Sequence, residues 1–429
     1  MSADTLIVKL EKLTYGGDAL GRLPDPLAGT SGRAVFVPFA LPGETVRARS
    51  VEEKRGHVRA ELIEVLEPSP ERITPKCPHF GACGGCHYQH MSYAAQRRAK
   101  EAILRDQLAR VGHIENPPIS PIVPSPLEWN YRNHVQFHLT EAGKLGFVRS
   151  GEGRFIRTSD GNSPSQSPLA ISECHLPEPA LNALWPQLEF EPGSGLERVS
   201  LRLGADEEMM LVLESNEPNP PELEVEADIS VVHLSAGDAV VLAGDGHIVA
   251  RVLDRGFRVS AGSFFQVNTA MAEKMVEHLL ATLPISPKTT LLDVYCGVGL
   301  FSAFLALHVK RLISIESSPS ACEDFTVNLD EFENVELYEA AAEDVLPALD
   351  ARPDILLVDP PRAGLHRRAS DGILALRPAT LAYVSCNPST LGRDTTRLIA
   401  GGYRLKQVTP FDLFPQTYHI ESISIFEAT

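Results

Sequence analysis

The chain has 429 residues, so two or three domains are expected, and no apolar run approaches the ~20 residues that span a bilayer. The formal net charge of −17 argues against a general electrostatic affinity for nucleic acid. The N terminus lacks a basic region followed by an apolar one, so no signal peptide is visible and a cytoplasmic protein is expected. In the cytoplasm, seven cysteines indicate metal binding or catalysis rather than disulfide bonds.

The charge is unevenly distributed along the chain. Residues 1–150 hold 19 Lys and Arg against 16 Asp and Glu, a net charge of +3, whereas residues 151–429 hold 20 against 40, a net charge of −20. We therefore expect a polyanion to meet the N-terminal third, through local basic patches rather than through a global field.

Residues 5–66 alternate between short strands and turns. Strands are expected at residues 6–10, 33–39, 44–49 and 57–66, and four or five short strands in about 60 residues predict a small OB-type β-barrel. The basic stretch at residues 47–59 could follow a phosphate backbone or form a solvated hairpin. The turns and residues 36–44 resemble the TRAM domain, a small RNA-binding barrel found on RNA-modifying enzymes.

Three cysteines lie close together after the predicted barrel. Cys77, Cys83 and Cys86 have the spacing C-x5-C-x2-C, and two glycines before the last thiol let the backbone curl. Three thiols within ten residues indicate a soft-metal site that lacks one ligand, and cysteine-only ligation fits an iron–sulfur cluster or zinc. Cys174, from a distant loop, is the candidate fourth ligand, and the alternative is a thiol that only packs in a core.

The middle of the chain is expected to be rich in strands. A helix is predicted at residues 92–112, where apolar side chains recur at a spacing of three to four. The motif Trp129-Asn130-Tyr131-Arg132-Asn133 then opens the strand-rich region. Strands are expected at residues 146–147, 201–203 and 210–213, a loop at residues 158–168 and an acidic, proline-rich connector at residues 214–228.

From about residue 258, strands alternate with helices, which indicates a parallel α/β sheet. Strands are expected at residues 290–295, 312–316, 355–358, 381–384 and 422–426, and helices at residues 269–283 and 320–329. We divide the chain into a barrel at residues 1–66, a central domain with the cysteine cluster at residues 67–257 and an α/β domain at residues 258–429.

The strongest candidate for chemistry is Cys386, which follows the apolar run at residues 381–384. The set Ser385-Cys386-Asn387-Pro388 puts its thiol at the carboxyl end of a strand, where open α/β sheets place their reactive groups. The alternative is a buried, inert thiol. Glu421 lies at the entrance of the last predicted strand and could act as a base if the fold brings it beside Cys386.

Two strand ends have the features of an S-adenosylmethionine site. Residues 293–299 form a strand and a glycine turn without the third glycine of a dinucleotide fingerprint, and Glu316 ends the next strand, where a carboxylate can accept both ribose hydroxyls. Asp359-Pro360-Pro361-Arg362 is a stiff turn that can hold Asp359 toward a ligand. The alternatives are a plain α/β turn and an ordinary turn aspartate.

Residues 262–268 precede the first helix of this domain and contain two adjacent phenylalanines. Gln266 could touch the cofactor, and Phe264 could stack on a base. The alternative is a pair of core aromatics followed by a helix cap. Two other cysteines, Cys296 and Cys322, are interpreted as packing thiols.

Together, the cysteine cluster and residues 359–362, 385–388 and 412–421 resemble the uracil-C5 RNA methyltransferases, in the branch with a TRAM domain and an iron–sulfur cluster. The resemblance covers nearly the whole chain and implies a Rossmann-like class I methyltransferase domain. The site residues that the resemblance implies are the nucleophile Cys386, the base Glu421, the cofactor contacts Gln266, Tyr295, Glu316 and Asp359, and the 4Fe–4S ligands Cys77, Cys83, Cys86 and Cys174. We also expect Gly297 to contact the cofactor, and Phe264 and Arg132 to contact the RNA.

The sequence departs from the family pattern at two positions. Leu300 and Ala340 stand where some members have an asparagine that can touch the cofactor. Contacts from these two side chains are therefore not expected, although a glycine or a backbone amide could serve instead.

The expected chemistry is covalent catalysis, because uracil C5 is too weakly nucleophilic to take a methyl group directly. A thiolate that adds at C6 makes C5 enolate-like, and a carboxylate must later remove the C5 hydrogen. The resemblance favours 23S ribosomal RNA as the substrate, with transfer RNA as the alternative, and we expect a monomer. Three alternative interpretations stay open: a non-catalytic RNA-binding protein, a methyltransferase that acts on amino groups, and a radical enzyme. The spacing of the cysteines argues against the radical enzyme.

Overall fold

The computed structural model describes residues 5–23, 32–151, 168–221, 228–235 and 238–429. The chain forms two compact units. The first comprises Met1–Asp106, Gly146–Ile171 and Phe414–His419, and the second comprises Gln107–Leu145, Ser172–Leu413 and Ile420–Thr429. The three-domain division at residues 66 and 257 stays a prediction. Most of the loop expected at 158–168, and part of the connector expected at 214–228, lie outside the described residues.

The first unit contains a closed five-stranded barrel in the order β1-β2-β3-β5-β4. Its strands are Thr5–Leu13 (β1), Ala19–Arg22 (β2), Ala34–Val37 (β3), Thr45–Glu53 (β4) and His57–Glu67 (β5). Alternate residues point inward, so that Val46, Ala48, Val58 and Ala60 are fully buried and form part of the barrel core. The predicted small barrel is confirmed.

The basic stretch at residues 47–59 lies on β4, β5 and the turn between them. Arg47 pairs with Glu64 at 2.6 Å, and Arg49 pairs with Glu61, with all four side chains exposed. These cations are therefore neutralised by carboxylates on the neighbouring strand, and exposed pairs of this kind stabilise a fold by about 1 kcal/mol at most. This pairing favours the solvated hairpin over the phosphate-binding interpretation.

The predicted helix at residues 92–112 is present as Tyr93–Arg110 (α1). The strand-rich region is also present, and a short helix, Pro179–Leu184 (α2), lies within it. Its strands are His134–Leu139 (β6), Leu145–Phe147 (β7), Leu169–Ala170 (β8), Leu196–Leu203 (β9), Met209–Ser215 (β10), Ser230–Ser235 (β11) and Asp238–Ala243 (β12). In the second unit they pair in the order β12-β11-β10-β9-β6, while β7 pairs with β8.

A hairpin of His247–Val252 (β13) and Arg255–Ser260 (β14), which the sequence did not predict, leads into the C-terminal sheet. That sheet has the order β17-β16-β15-β18-β19-β21-β20. Its strands are Thr290–Val294 (β15), Arg311–Glu316 (β16), Val335–Glu339 (β17), Ile355–Val358 (β18), Thr380–Ser385 (β19), Tyr403–Phe411 (β20) and Glu421–Ala428 (β21).

Strands β15 to β19 run parallel, and β20 and β21 run antiparallel at one side. The helices of this part are Thr269–Thr282 (α3), Leu300–Leu305 (α4), Pro319–Asn328 (α5), Ala342–Val345 (α6), Arg367–Leu376 (α7) and Pro388–Ala400 (α8). The strand order reverses at β15 and β18, and ligands bind outside the carboxyl ends of strands at such a switch point. None of the helices in the described part of the chain has both the length and the apolar character needed to cross a membrane.

Candidate active site

Cys386 and Glu421 lie at the same end of two paired strands. β19 and β21 pair antiparallel, and the last registered pair is Ser385 with Ser422. Continuing this register by one residue places Cys386 opposite Glu421, and directly opposite residues present their side chains on the same face of a sheet. The charge of Glu421 also raises the pKa of the Cys386 thiol, which requires the two groups to be close. The structure therefore brings these two predicted residues together.

The surroundings of Cys386 favour the neutral thiol. Burial, followed by the charges of Glu421 and Asp359, raises its pKa to about 12, and the guanidinium of Arg362 opposes this shift. Helix α8 begins two residues after Cys386, and Asn387 caps it by accepting hydrogen bonds from the amides of Ser389 and Thr390 at 3.0 and 3.4 Å. Among the described residues, Arg362 is the cation whose charge lowers the pKa of this thiol and so favours a thiolate.

Glu421 is only 4% exposed, and its backbone pairs with that of Phe411 on β20. Burial and the neighbouring charge of Asp359 raise its pKa well above the ordinary value, while Arg362 again acts in the opposite direction. A carboxylate with a raised pKa is a stronger base once it is ionised. The position of Glu421 therefore suits it to take a proton from a group held beside Cys386.

The end of β15 continues into a turn that only certain residues can form. Tyr295 has a φ of 64° and Gly299 a φ of 90°, and a Cβ on Gly299 would lie 2.4 Å from a methyl of Leu329. Gly297 has a φ of 55° and open space beside its Cα, so that a ligand can approach the backbone there. The turn predicted from the glycine spacing is present.

Glu316, at the end of β16, is fixed by backbone amides. One carboxylate oxygen accepts a hydrogen bond from the amide of Gly297 at 3.0 Å, and the other accepts from Ser317 at 2.7 Å and Ser318 at 2.8 Å. Because the Gly297 amide is used by this carboxylate, it does not serve a phosphate. The carboxylate keeps lone pairs for hydroxyl donors.

Two further carboxyl groups lie at the ends of β15 and β18. Asp293 is 1% exposed and accepts a 2.6 Å hydrogen bond from Ser302, and burial raises its pKa to about 7. Burial, followed by the charges of Asp293 and Glu316, raises the pKa of Asp359 to about 7 as well. Three mutually repelling acids therefore share one end of the sheet, which favours a positively charged ligand.

Phe264 and Gln266 lie between β14 and α3. Phe264 is 70% exposed, whereas Gln266 is buried and its backbone carbonyl accepts a 3.0 Å hydrogen bond from the side chain of Asn133. The interpretation of the two phenylalanines as core aromatics therefore fails for Phe264. Arg132, half-buried, lies before β6, where its backbone is bonded to Leu176 and its guanidinium lies 5.8 Å from the ring of Tyr131.

Comparisons with known proteins agree with this geometry. The model of the family described as tRNA (uracil-5-)-methyltransferase matches residues 222–428, and that of the TRAM domain matches residues 2–63. A relative from Chlorobaculum tepidum, described as an uncharacterized RNA methyltransferase, is 34% identical over 93% of this chain and 92% of its own length. The chain belongs to the RNA (uracil-5-)-methyltransferase family.

A relative from Aquifex aeolicus with the same description is 33% identical over 100% of this chain and 99% of its own length. Among solved structures, the chain is similar to the Pyrococcus abyssi tRNA (uracil-54, C5)-methyltransferase in complex with S-adenosyl-L-homocysteine. The TM-score is 0.71, with 24% identity, over 98% of this chain and 100% of that chain. This likeness shows that the N-terminal barrel and the C-terminal methyltransferase fold are common to both proteins.

The two departures from the family pattern have structural consequences in this methyltransferase. Leu300 begins α4 with a buried side chain, so it belongs to the core. The amide of Ala340 donates a 2.8 Å hydrogen bond to the carbonyl of Glu316. That amide is therefore already used within the sheet and is a poor substitute for the missing asparagine.

The cysteine segment of this methyltransferase lies in the first unit. Cys77, Cys83 and Cys86 are all half-buried, and the sulfur of Cys83 accepts a hydrogen bond from the amide of Gly85 at 3.4 Å. Amide-to-sulfur bonds and cysteine-only donors are the chemistry of an iron–sulfur or zinc site. However, among the described residues no group of three or more His, Cys, Asp or Glu side chains is arranged to hold a metal ion. Cys174, also half-buried, belongs to the second unit.

Sequence reasoning missed two residues of the site. From the sequence, Arg362 is interpreted only as the end of a stiff turn and Asp293 only as part of a strand. The basic residue directly after Asp359-Pro360-Pro361, and an acid within an otherwise apolar strand, were the available signals. The two packing thiols, Cys296 and Cys322, are buried as expected.

Proposed function

We propose that this enzyme transfers the methyl group of S-adenosylmethionine to C5 of a uridine in RNA through a covalent adduct between Cys386 and C6. The observation that carries the proposal is the β19–β21 register, because it sets a thiol and a carboxyl group side by side at one strand end. A nucleophile and a base must meet across the two neighbouring carbons C6 and C5 of one pyrimidine ring.

The proposed reaction proceeds in two stages. The Cys386 thiolate forms a bond to C6, the electron pair of the C5–C6 double bond makes C5 nucleophilic, and C5 takes the methyl group as the methyl–sulfonium bond breaks. The electron pair of that bond stays on sulfur and gives neutral S-adenosylhomocysteine. Glu421 then takes the C5 proton, the C5–C6 double bond re-forms, and the thiolate is expelled.

The methyl donor is proposed to bind at the ends of β15, β16 and β18. Glu316 would accept the ribose hydroxyls, and Gln266, Tyr295, Gly297 and Asp359 would line the same site. The acidic groups of this strand end would favour the positively charged sulfonium and ammonium groups of the donor. They would favour the neutral sulfur of the product less, which assists product release.

The proposed substrate is a flipped-out uridine of 23S ribosomal RNA, because a base inside structured RNA cannot reach the thiol. Phe264 and Arg132 are the proposed RNA contacts, and the enzyme is proposed to act as a cytoplasmic monomer. Transfer RNA is the second candidate substrate, because the similar Pyrococcus abyssi enzyme acts on transfer RNA.

RNA that contains 5-fluorouridine tests the chemistry, since a C5 fluorine cannot leave as a proton and the adduct is trapped. We expect a methylated protein–RNA adduct that depends on S-adenosylmethionine and is absent for Cys386→Ala. A wild-type enzyme that methylates RNA without any trapped adduct would contradict the covalent mechanism. Mapping of 5-methyluridine in ribosomal and transfer RNA of a deletion strain identifies the substrate.

We also propose that Cys77, Cys83, Cys86 and Cys174 hold a 4Fe–4S cluster with a structural role, because no step of the reaction transfers an electron. The donor chemistry supports the cluster, although the described residues do not form a complete ligand set. An anaerobically purified protein should be brown and contain iron and sulfide. A colourless preparation that contains zinc instead would contradict the cluster and favour the zinc alternative.

A further inference from the structure

The connector at residues 260–268 runs from the last residue of β14 to the residue before α3, and it combines a fixed backbone with an exposed aromatic ring. Ser263 and Gln266 are buried, yet Phe264 between them is 70% exposed. Phe264 is the most exposed large apolar side chain in the described part of the chain. An exposed aromatic ring on an anchored segment is available to stack on a base.

Arg202 on β9 holds one side of the connector. Its guanidinium donates hydrogen bonds to the carbonyl oxygens of Ser260 at 2.9 Å, Ala261 at 2.8 Å and Ser263 at 2.9 Å. The planar guanidinium presents several donors in a rigid geometry, so it fixes the connector backbone at three positions within four residues. Burial of this group lowers its pKa to about 10, so it stays charged at neutral pH.

Asp324 on α5 holds the other side and is completely buried. Its carboxylate accepts hydrogen bonds from the amide and hydroxyl of Ser260 at 2.8 and 2.7 Å and from the hydroxyl of Ser263 at 2.6 Å. It also pairs with Arg258 at 3.0 Å. Hydrogen bonds to a charged group are about twice as strong as neutral ones, so this contact is a firm anchor.

Helix α5, which carries Asp324, follows Glu316 of the proposed methyl-donor site in the sequence. Helix α5 begins at Pro319, directly after Ser317 and Ser318, whose amides hold Glu316. Ser320, in its first turn, lies 2.9 Å from the hydroxyl of Ser263. The connector is therefore attached to the helix that immediately follows Glu316, the carboxylate proposed to bind the ribose.

We infer that Arg202 and Asp324 are positioning residues that hold the connector so that the ring of Phe264 meets the RNA at a fixed place relative to the methyl donor. This inference rests on the proposed function, since it takes Phe264 as an RNA contact. Neither positioning residue touches a reacting atom. Their effect is transmitted through the connector backbone, and it should appear in RNA binding rather than in the chemical step.

The variant Ser263→Ala tests this with little risk to the fold, because it removes one hydroxyl and leaves the other contacts of Asp324. We expect the RNA KM to rise by about tenfold, the scale of losing a hydrogen bond to a charged group, while kcat and the donor KM change by less than about twofold. Thr326→Ala is the matched control, since that hydroxyl donates a hydrogen bond within its own helix, to the carbonyl of Cys322. An unchanged RNA KM, or equal changes in both variants, would overturn the inference.

A double-mutant cycle with Phe264→Ala separates positioning from general stability. In the Phe264→Ala background, Ser263→Ala and Arg202→Lys should have no further effect on the RNA KM. If the fold-changes in RNA KM of the single variants multiply in the double variants, the inference is overturned. If the wild type traps no 5-fluorouridine RNA and methylates none, the proposed function fails. If it is active and Phe264→Ala leaves the RNA KM unchanged, only the positioning role fails.

Discussion

The strand-end pair Cys386–Glu421 and the cysteine segment at residues 77–86 are built in different ways. The pair is placed by the ladder of β19 and β21, so the backbone alone sets two side chains opposite each other. The segment consists of turns with half-buried thiols, and its candidate fourth ligand comes from the other unit. A ladder thus fixes reactive groups before any ligand arrives, whereas a turn-based ligand set depends on the ion that it holds.

The largest effect should come from removing the thiol of the strand-end pair. We expect Cys386→Ala to lower kcat by on the order of 10,000-fold or more, as when a covalent nucleophile is deleted. Methylation assays with RNA measure the loss. RNA affinity should stay within about threefold of the wild type, because Cys386 is only partly exposed and contributes little contact area. Normal turnover by this variant would show that the ladder does not build the catalytic centre.

Removing the carboxylate of the pair should stop the reaction at a later stage. We expect Glu421→Gln to form the methylated adduct but release it about 100- to 10,000-fold more slowly, because general-base catalysis of C5 deprotonation is lost. Gel electrophoresis of protein and labelled RNA detects the accumulated adduct. Rapid release of 5-methyluridine RNA by this variant would assign the base elsewhere.

The same substitution gives a stability prediction with a defined sign. The folded-state pKa of Glu421 is raised, so the protein loses stability as the pH rises from about 4.5 through that pKa. Glu421→Gln should therefore melt above the wild type at pH 8, with the difference disappearing below pH 4.5. Thermal melts at the two pH values measure this, and a lower melting temperature at pH 8 would show that the carboxylate is stabilised in the folded protein.

The sequence predicted the strands of this site better than their arrangement. The apolar runs that became β18 and β19 were located almost to the residue, because a buried parallel strand is apolar on both faces. β20 was missed, since Arg404 and Lys406 alternate with its buried residues and interrupt the apolar run. The register of Ser385 with Ser422 joins residues far apart in the chain, so no local pattern could predict it.

The pKa shifts at the site could not be predicted from the sequence either. Burial at the strand ends raises the pKa of Asp293 and of Asp359 to about 7, and nothing in the residues next to them in the sequence indicates such a shift. The role of Arg362 depends on its proximity to Cys386 and Glu421, which are remote from it in the chain. The sequence therefore shows which residue types are present at the site, but the pKa shifts of the acids follow from how the sheet packs around them.

The charge of Arg362 should have a moderate effect that depends on pH. Burial raises the pKa of Cys386 to about 12, so the thiolate fraction and kcat/KM should rise with pH between 7 and 10 without reaching a plateau. Arg362→Gln should lower kcat/KM by about three- to tenfold at each pH, since water screens this exposed cation. Arg368→Gln, which removes an exposed cation paired with Asp344, is the matched control. A kcat/KM that is half-maximal near pH 8.5 and levels off by about pH 10 in the wild type would mean that the pKa of the thiol is not raised.

The smallest effect on chemistry should come from the cysteine segment. We expect Cys83→Ser and Cys174→Ser each to lose iron and sulfide, yet to change kcat at saturating substrates by less than about tenfold. The reason is that the ladder of β19 and β21 involves no residue of that segment. Metal analysis and visible absorption measure the first outcome, and initial rates measure the second. Full iron content in Cys174→Ser would make that residue a packing thiol, and a loss of activity as large as that of Cys386→Ala would mean that the ladder alone does not maintain the catalytic pair.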